Sequence, residues 1–228
     1  MKITYLYHSG FAVETEQRVL VFDYYTQGAT YDNFDPKKYE GKPIYVFSSH
    51  CHEDHSDWRM YTWQEDVTKY ILSSDIRPDR ELGGKLLRTE PHQSFELDGM
   101  HIETLESNDE GVAYLVKADG KTIYHAGDLA WWHWNGDRPS ANEAIKESYQ
   151  REIDRMKGEK IDVAFVPADL RLEDKYSWTA KYFMDAVGAD VLFPMHFWRR
   201  YDVCGLLRKE LNDDRVMIID TEGQEFQL

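Results

Sequence analysis

The sequence predicts an α+β fold: two β-sheets packed face to face, with helices outside, over residues 1–228 as one domain. Three observations predict it. The first half is a series of short apolar segments with strand-like alternation, joined by turn pairs such as Asp98-Gly99 and Asp119-Gly120. From about residue 140 onward, apolar residues recur at helical spacing and alternate with short strands. No linker, low-complexity segment or internal repeat divides the chain.

Residues 2–7 read as a strand, with Ile3 and Tyr5 on one side and Leu6 on the other. His8-Ser9-Gly10 is a turn. Strands follow at 11–13 and 19–22, the second ending at Asp23. Residues 24–43 read as loop, broken by Gly28, Pro36, Gly41 and Pro43. Residues 44–47 form a buried strand, and 59–68 a short helix. Short strands come next at 70–73, 85–88, 94–97, 101–105, 112–116 and 122–125. A helix over 140–157 shares a face of Ala141, Ala144, Ile145, Ser148, Tyr149, Ile153 and Met156, and Gly158 ends it. Strands at 163–166, 191–193 and 216–219 alternate with helices near 179–187, stopping at Gly188, and 203–211.

Composition narrows the function. With 42% hydrophobic and 14% aromatic residues, the chain has material for a sizeable core. A net charge of −15 opposes general nucleic-acid binding, which needs clustered Lys and Arg. No apolar stretch approaches the ~20 residues of a membrane span, and no signal-peptide pattern precedes the first strand. Cys51 and Cys204 are too few for a disulfide framework and suit a reducing compartment, so a cytoplasmic location is expected.

Chemistry concentrates in Ser48-Ser49-His50-Cys51-His52-Glu53-Asp54-His55-Ser56-Asp57, directly after a strand. His50 and His52 are two apart, so in an extended segment they point to the same side. Asp54 and His55 follow where the chain can turn toward a neighbouring point. Imidazole nitrogen and carboxylate oxygen are ligands for Zn²⁺, Fe and Mn. Cys51, between the histidines, points away from them and is expected to pack in the interior.

His50-Cys51-His52-Glu53-Asp54-His55 resembles the HxHxDH motif of the metallo-β-lactamase superfamily, and the resemblance extends along most of the chain. Asp23 looks like that family's early buried aspartate. His125-Ala126-Gly127-Asp128 looks like its later Gly-Asp segment, whose aspartate bridges two metals. Pro194-Met195-His196-Phe197 looks like its final histidine ligand. The resemblance implies an αββα sandwich of two mixed β-sheets and a ligand set of His50, His52, Asp54, His55, Asp128 and His196. It implies one or two ions, Zn²⁺ first, with Mn²⁺ or Fe as alternatives. The chain departs from the family at Glu106-Ser107-Asn108-Asp109, where another histidine is usual and none stands. Ser107, Asn108 or Asp109 would have to serve instead, or His125 replace it. His8, Asp23 and His125 are candidates for hydrogen-bonding the ligands from behind.

Five of the seven tryptophans lie within six residues of a candidate ligand. Trp131, Trp132, His133 and Trp198 are therefore candidates to line a substrate pocket. The resemblance implies a metal-dependent hydrolase, with Asp54 and Asp128 as catalytic carboxylates. Within the superfamily the compact build is similar to the ascorbate-6-phosphate lactonase-like branch, which implies a small ester, lactone or phosphoester as substrate. A non-catalytic metal- or ligand-binding protein and a redox diiron protein are the alternatives on the same fold. The partner expected is a small-molecule substrate, with neither nucleic acid nor membrane; the oligomeric state stays open.

Overall fold

The computed structural model describes residues 1–30, 32–39 and 41–228; Tyr31 and Glu40, within the loop expected at 24–43, lie outside the described residues. In chain order the strands begin with β1 (Lys2–Tyr7), β2 (Gly10–Glu14), β3 (Val19–Phe22), β4 (Ile44–Ser48), β5 (Lys69–Ser73) and β6 (Leu86–Thr89). They continue with β7 (Ser94–Leu97), β8 (Met100–Glu106), β9 (Val112–Ala118), β10 (Lys121–His125), β11 (Val163–Pro167), β12 (Val191–Met195) and β13 (Glu225–Gln227). The α-helices are α1 (Pro139–Asp154), α2 (Trp178–Ala186) and α3 (Asp202–Leu211).

One sheet runs β13-β1-β2-β3-β4-β5-β6, the other β12-β11-β10-β9-β8-β7. Both are mixed. In the first, β13 to β3 pair antiparallel and β3 to β6 parallel. In the second, β7 to β10 are antiparallel and β10 to β12 parallel. The Asp-Gly pairs close two hairpins. Asp98 and Gly99 have φ of 49° and 78°, Asp119 and Gly120 50° and 73°, the paired left-handed residues that match strand twist in a two-residue turn.

Alternation sorts the first sheet's side chains into two layers. Ile3, Tyr5, Phe11, Val13, Leu20, Phe22, Tyr45, Phe47 and Ile71 face the second sheet in the central core. Leu6, Ala12, Val19, Val21, Ile44, Val46, Tyr70 and Leu72 form a second cluster with Phe34, Met60, Tyr61 and Trp63. The cover on that outer face is loop and 3-10 turn. On the other side, Phe183 of α2 stacks on Tyr124 of β10, with ring centroids 5.2 Å apart.

Four elements differ from expectation. Residues 59–68 give a 3-10 turn, Trp58–Trp63, because Asp57 caps a tight turn and Met60, Tyr61 and Trp63 plug the outer face. The strand expected at 216–219 is reduced to one bridge, Leu192 to Val216. β13 takes an edge place beside β1 instead. In α1, Tyr149 and Ile153 are buried as expected, but Ala141 and Ala144 are exposed and Asn142 and Glu152 are buried. Asn142 bonds Trp134 at both backbone atoms, and Glu152 Oε2 meets His92 Nε2 at 2.9 Å, while its Oε1 has no hydrogen-bond partner among the described residues.

Candidate metal centre

Strand ends from both sheets meet at one end of the sandwich. β1 and β3 run the same way, since both pair antiparallel with β2, and β4 is parallel to β3. His8 follows β1, Asp23 follows β3, and the segment from Ser49 to His55 follows β4. From the parallel trio of the other sheet come Asp128 after β10, Asp169 after β11 and His196 after β12. The backbone bends sharply here. His8, Asp23, His196 and Trp198 all take positive φ, at 54°, 42°, 62° and 54°. Each such non-glycine residue costs of order 1–3 kcal/mol and persists only where its surroundings enforce it. One enforcing contact crosses between the sheets: His196 N donates to His8 O at 3.2 Å.

Two groups of ligand-type atoms result. One joins His8, Asp54, His55 and His196; the other joins His50, His52, Asp109 and Asp128. In the first, Asp54 Oδ2 lies 3.2 Å from His8 Nε2 and 3.9 Å from His55 Nε2. Asp128 sits between the groups. Its Oδ1 is 3.2 Å from His55 Nε2, and its Oδ2 is 3.5 Å from His196 Nε2 and 3.8 Å from His50 Nε2. In the second group His50 Nε2 lies 3.0 Å from His52 Nδ1, which lies 3.5 Å from Asp109 Oδ2.

Carboxylates stand behind the rings. Asp23 Oδ2 meets His55 Nδ1 at 2.7 Å and accepts from Ser49 Oγ at 2.6 Å, and that hydroxyl is 2.9 Å from His50 Nδ1. Asp169 Oδ2 meets His196 Nδ1 at 3.0 Å. Such partners fix which ring nitrogen faces forward.

Burial and neighbouring charge split the titrations. Burial, then the neighbouring rings, push His8 and His50 down to about 4. Burial opposes charge on His55 and His196, but Asp128 together with Asp23 at His55, and with Asp169 at His196, outweighs it, so His55 rises well above its ordinary value and His196 to about 9. Asp54 is half-buried and Asp128 buried, yet His8 holds Asp54, and His196 with His55 holds Asp128, below the usual carboxylate range. Asp109 is raised, by burial and by Asp128.

The residues fit a cation. Both nitrogens of His8, His55 Nε2 and Asp128 Oδ1 are buried without a hydrogen-bond partner among the described residues. Leaving such groups unmet is costly. Ligands about 2.1 Å from a tetrahedral ion stand roughly 3.4 Å apart, which is the range of the separations above.

The six candidate ligands named from sequence are brought together here, and two further residues join them. Asp109 enters from the loop that lacks histidine, and His8, expected behind the ligands, stands among them. Asp23 lies behind. His125 is farther back: its Nε2 faces Ser9 O at 2.9 Å, its Nδ1 is 3.8 Å from Asp23, and its ring stacks on Phe22. Cys51 corrects an expectation. It is exposed rather than packed inside, because its Sγ turns to Glu110, 3.1 Å away, at the surface.

The aromatic segment after Asp128 divides. Trp132, Trp134 and Trp198 line a cavity of about 350 Å³ together with Asp54, Asp128 and His196. Trp131 and His133 line a separate cavity of about 720 Å³ beside Trp178 and Tyr182. Alternation along an extended segment accounts for the division. Asp169 and Arg171 were not singled out in the sequence; the one signal available was a carboxylate just past a strand end.

A sandwich of two mixed sheets whose strand ends gather histidines and aspartates defines a metal-binding class of protein. The chain belongs to the family described as Beta-lactamase superfamily domain, which matches residues 2–133. It is 27% identical over 135 residues to a UPF0173 metal-dependent hydrolase of Korarchaeum cryptofilum, covering 56% of this chain and 60% of that protein. A UPF0173 metal-dependent hydrolase of Opitutus terrae is 28% identical over 148 residues, covering 57% and 63%. The matches thus span less than two thirds of either relative. A metallo hydrolase from Ignicoccus hospitalis shares the fold with a TM-score of 0.63 at 18% identity, covering 100% of this chain and 98% of that one. CmlA, a diiron beta-hydroxylase from Streptomyces venezuelae, shares it at 0.62 and 12%, covering 100% of this chain and 53% of that one.

Proposed function

We propose that the protein is a metal-dependent hydrolase acting on a small ester, lactone or phosphoester. The observation that carries this reading is the set of mostly buried, mutually close imidazole and carboxylate atoms, several without a hydrogen-bond partner among the described residues, of which Asp54, Asp128 and His196 open onto the 350 Å³ cavity. That volume is within the range of small-molecule sites. The names of the relatives support the reaction class, and the net charge of −15 supports a small molecule over nucleic acid. Among the described residues no helix is long and apolar enough to cross a membrane, and the free Cys51 and Cys204 suit the cytoplasm.

His8, Asp54, His55 and His196 would hold one cation, and His50, His52 and Asp109 a second, with Asp128 between them. We propose Zn²⁺, with Mn²⁺ or Fe as alternatives, since the donors are imidazole and carboxylate. A cation there supplies Lewis acidity, polarising a carbonyl or phosphoryl group and lowering the pKa of water. The chain's own residues do the rest. Asp23 and Asp169 fix the ring tautomers. Asp54 turns Oδ2 to His8 and His55, which leaves Oδ1 to orient water, take its proton and return that proton to the leaving oxygen. Trp132, Trp134 and Trp198 shield the reacting group from bulk water.

The test is metal analysis of the purified protein, with turnover of a panel of lactones, carboxylic esters and phosphoesters before and after chelation. His55→Ala and His196→Ala should lose metal and turnover together. Full metal content in both variants, or turnover indifferent to chelation, would defeat the reading. A second reading, an iron redox centre, is favoured by one feature only, the extra carboxylate of Asp109; an iron absorption band without hydrolysis would select it.

A further inference from the structure

The cavity over the metal groups is lined by aromatic rings and by charges that are mostly acidic. Asp54, Asp109, Asp128 and Asp137 line it, and Arg171 is the one Lys or Arg among its described lining residues. The first three acids belong to the ligand groups or border them, so a bound cation would neutralise them. Arg171 and Asp137 are then the charges left to meet a ligand.

Arg171 is held in place along one edge and open along the other. Its backbone N donates to Asp169 Oδ1 at 2.9 Å. Its Nε and Nη2 both donate to Asp169 Oδ2, the oxygen that also meets His196. The guanidinium lies 5.8 Å over the ring of Trp134. Its Nη1 makes no hydrogen bond among the described residues, and the side chain is 52% exposed at the cavity. Pairing with Asp169 explains Nε and Nη2. It does not explain a free donor edge laid over an aromatic wall. A planar guanidinium with two donors spent keeps donors for an oxyanion, and its fixed orientation lowers the entropy lost on binding.

We propose that Arg171 recognises the substrate, and that the substrate carries an oxyanion, a carboxylate or a phosphate, at the end remote from the bond that is cleaved. Its apolar body lies against Trp132 and Trp134. The inference rests on the hydrolase reading for the word substrate, but the recognition itself is a binding property and is tested apart from turnover.

The binding experiment titrates metal-loaded protein with succinate, inorganic phosphate and neutral succinamide, following tryptophan fluorescence. One of the two anions should bind more tightly than succinamide, and which one identifies the group. In Arg171→Gln the ratio of anion to succinamide affinity should fall at least about ten-fold, and in Arg171→Lys, which keeps charge but loses the fork, by less. Melting temperature and metal content of both variants establish that they are folded and loaded. The turnover experiment compares matched esters with and without a remote carboxylate or phosphate, and the same ratio should fall. An unchanged ratio in folded, loaded Arg171→Gln, or equal losses for anion and neutral compound, overturns the proposal: Arg171 would then only position Asp169 behind His196. Loss of anion preference without any ester turnover would uphold recognition while defeating the hydrolase reading.

Discussion

Asp23 acts on the centre without reaching the cavity. It is 1% exposed, meets His55 directly and reaches His50 through the hydroxyl of Ser49. Asp109 works from the opposite position, half-exposed on the loop before β9, with its Oδ2 toward His52. Asp109→Asn keeps the shape and removes the charge, so it should weaken metal at the His50–His52 position by about ten- to a hundred-fold. Metal analysis after dialysis should then find one ion fewer, with the ion near His55 and His196 retained, and Asp109→His should restore it. Two ions held with unchanged affinity in Asp109→Asn would exclude this residue as a ligand. The residues differed in how well sequence showed them. His50, His52, Asp54 and His55 fall within six positions, so their proximity is forced by the chain itself. Asp128 and His196 are remote, and only family resemblance linked them. Asp169 carried no spacing signal toward the centre, because His196 comes from a different strand, and Arg171 is tied to the centre only through Asp169, two residues before it. His8 was visible as a turn residue, but nothing local reveals the direction of a ring set by a left-handed backbone.

At the scale of the elements, two loops are pressed against a third. A Cβ on Gly111, before β9, would stand 2.0 Å from Ser49 O, and one on Gly127, after β10, 2.6 Å from Ser49 Cβ; φ is 67° and 51°. Gly120 also has positive φ, at 73°, but open space around it. Gly120→Ala should therefore cost only backbone strain, about 1 kcal/mol. Gly111→Ala and Gly127→Ala should cost about 3 kcal/mol, lowering the melting temperature by roughly 10 °C. Thermal melts followed by circular dichroism decide it, and equal losses at all three sites would mean that the close approach is not limiting. The strands of the sandwich were legible because a period of two is a strong signal when one face is buried. The turn at Trp58–Trp63 was not, since a 3-10 segment shares its apolar content with a short α-helix. β13, Glu225–Gln227, has one apolar residue between two polar ones and leaves no pattern.

Over the whole molecule, the metal-free state should respond to pH on both sides of neutrality. His196 rises to about 9 and His55 also rises, above an unfolded value near 6.5. The stability they contribute is complete below about pH 6.5 and is lost as pH climbs through 9. His8 and His50, lowered to about 4, act oppositely: protonation of the unfolded chain removes stability as pH falls from about 6.5 toward 4. Chelated protein should thus melt highest near pH 6.5 and lower at pH 9, whereas loaded protein should not show the alkaline loss, because bound ions replace those protons. Melting curves across pH, with and without chelator, check this; identical profiles would contradict the ligand assignment. The gross architecture could be read from the sequence, yet the division of Trp131 to Trp134 between two cavities could not, because it depends on what each side of that segment meets. The bent backbone at His8, Asp23, His196 and Trp198 has one more consequence. His8 lies in the two-residue turn of the β1–β2 hairpin, where such a backbone is at home, but His196 is tied to it by a hydrogen bond from the opposite sheet. The centre comes into being only once the two halves have closed on each other, and it is the first thing undone when they part. Parting the sheets would separate Asp128 and His196 from His50, His52, Asp54 and His55.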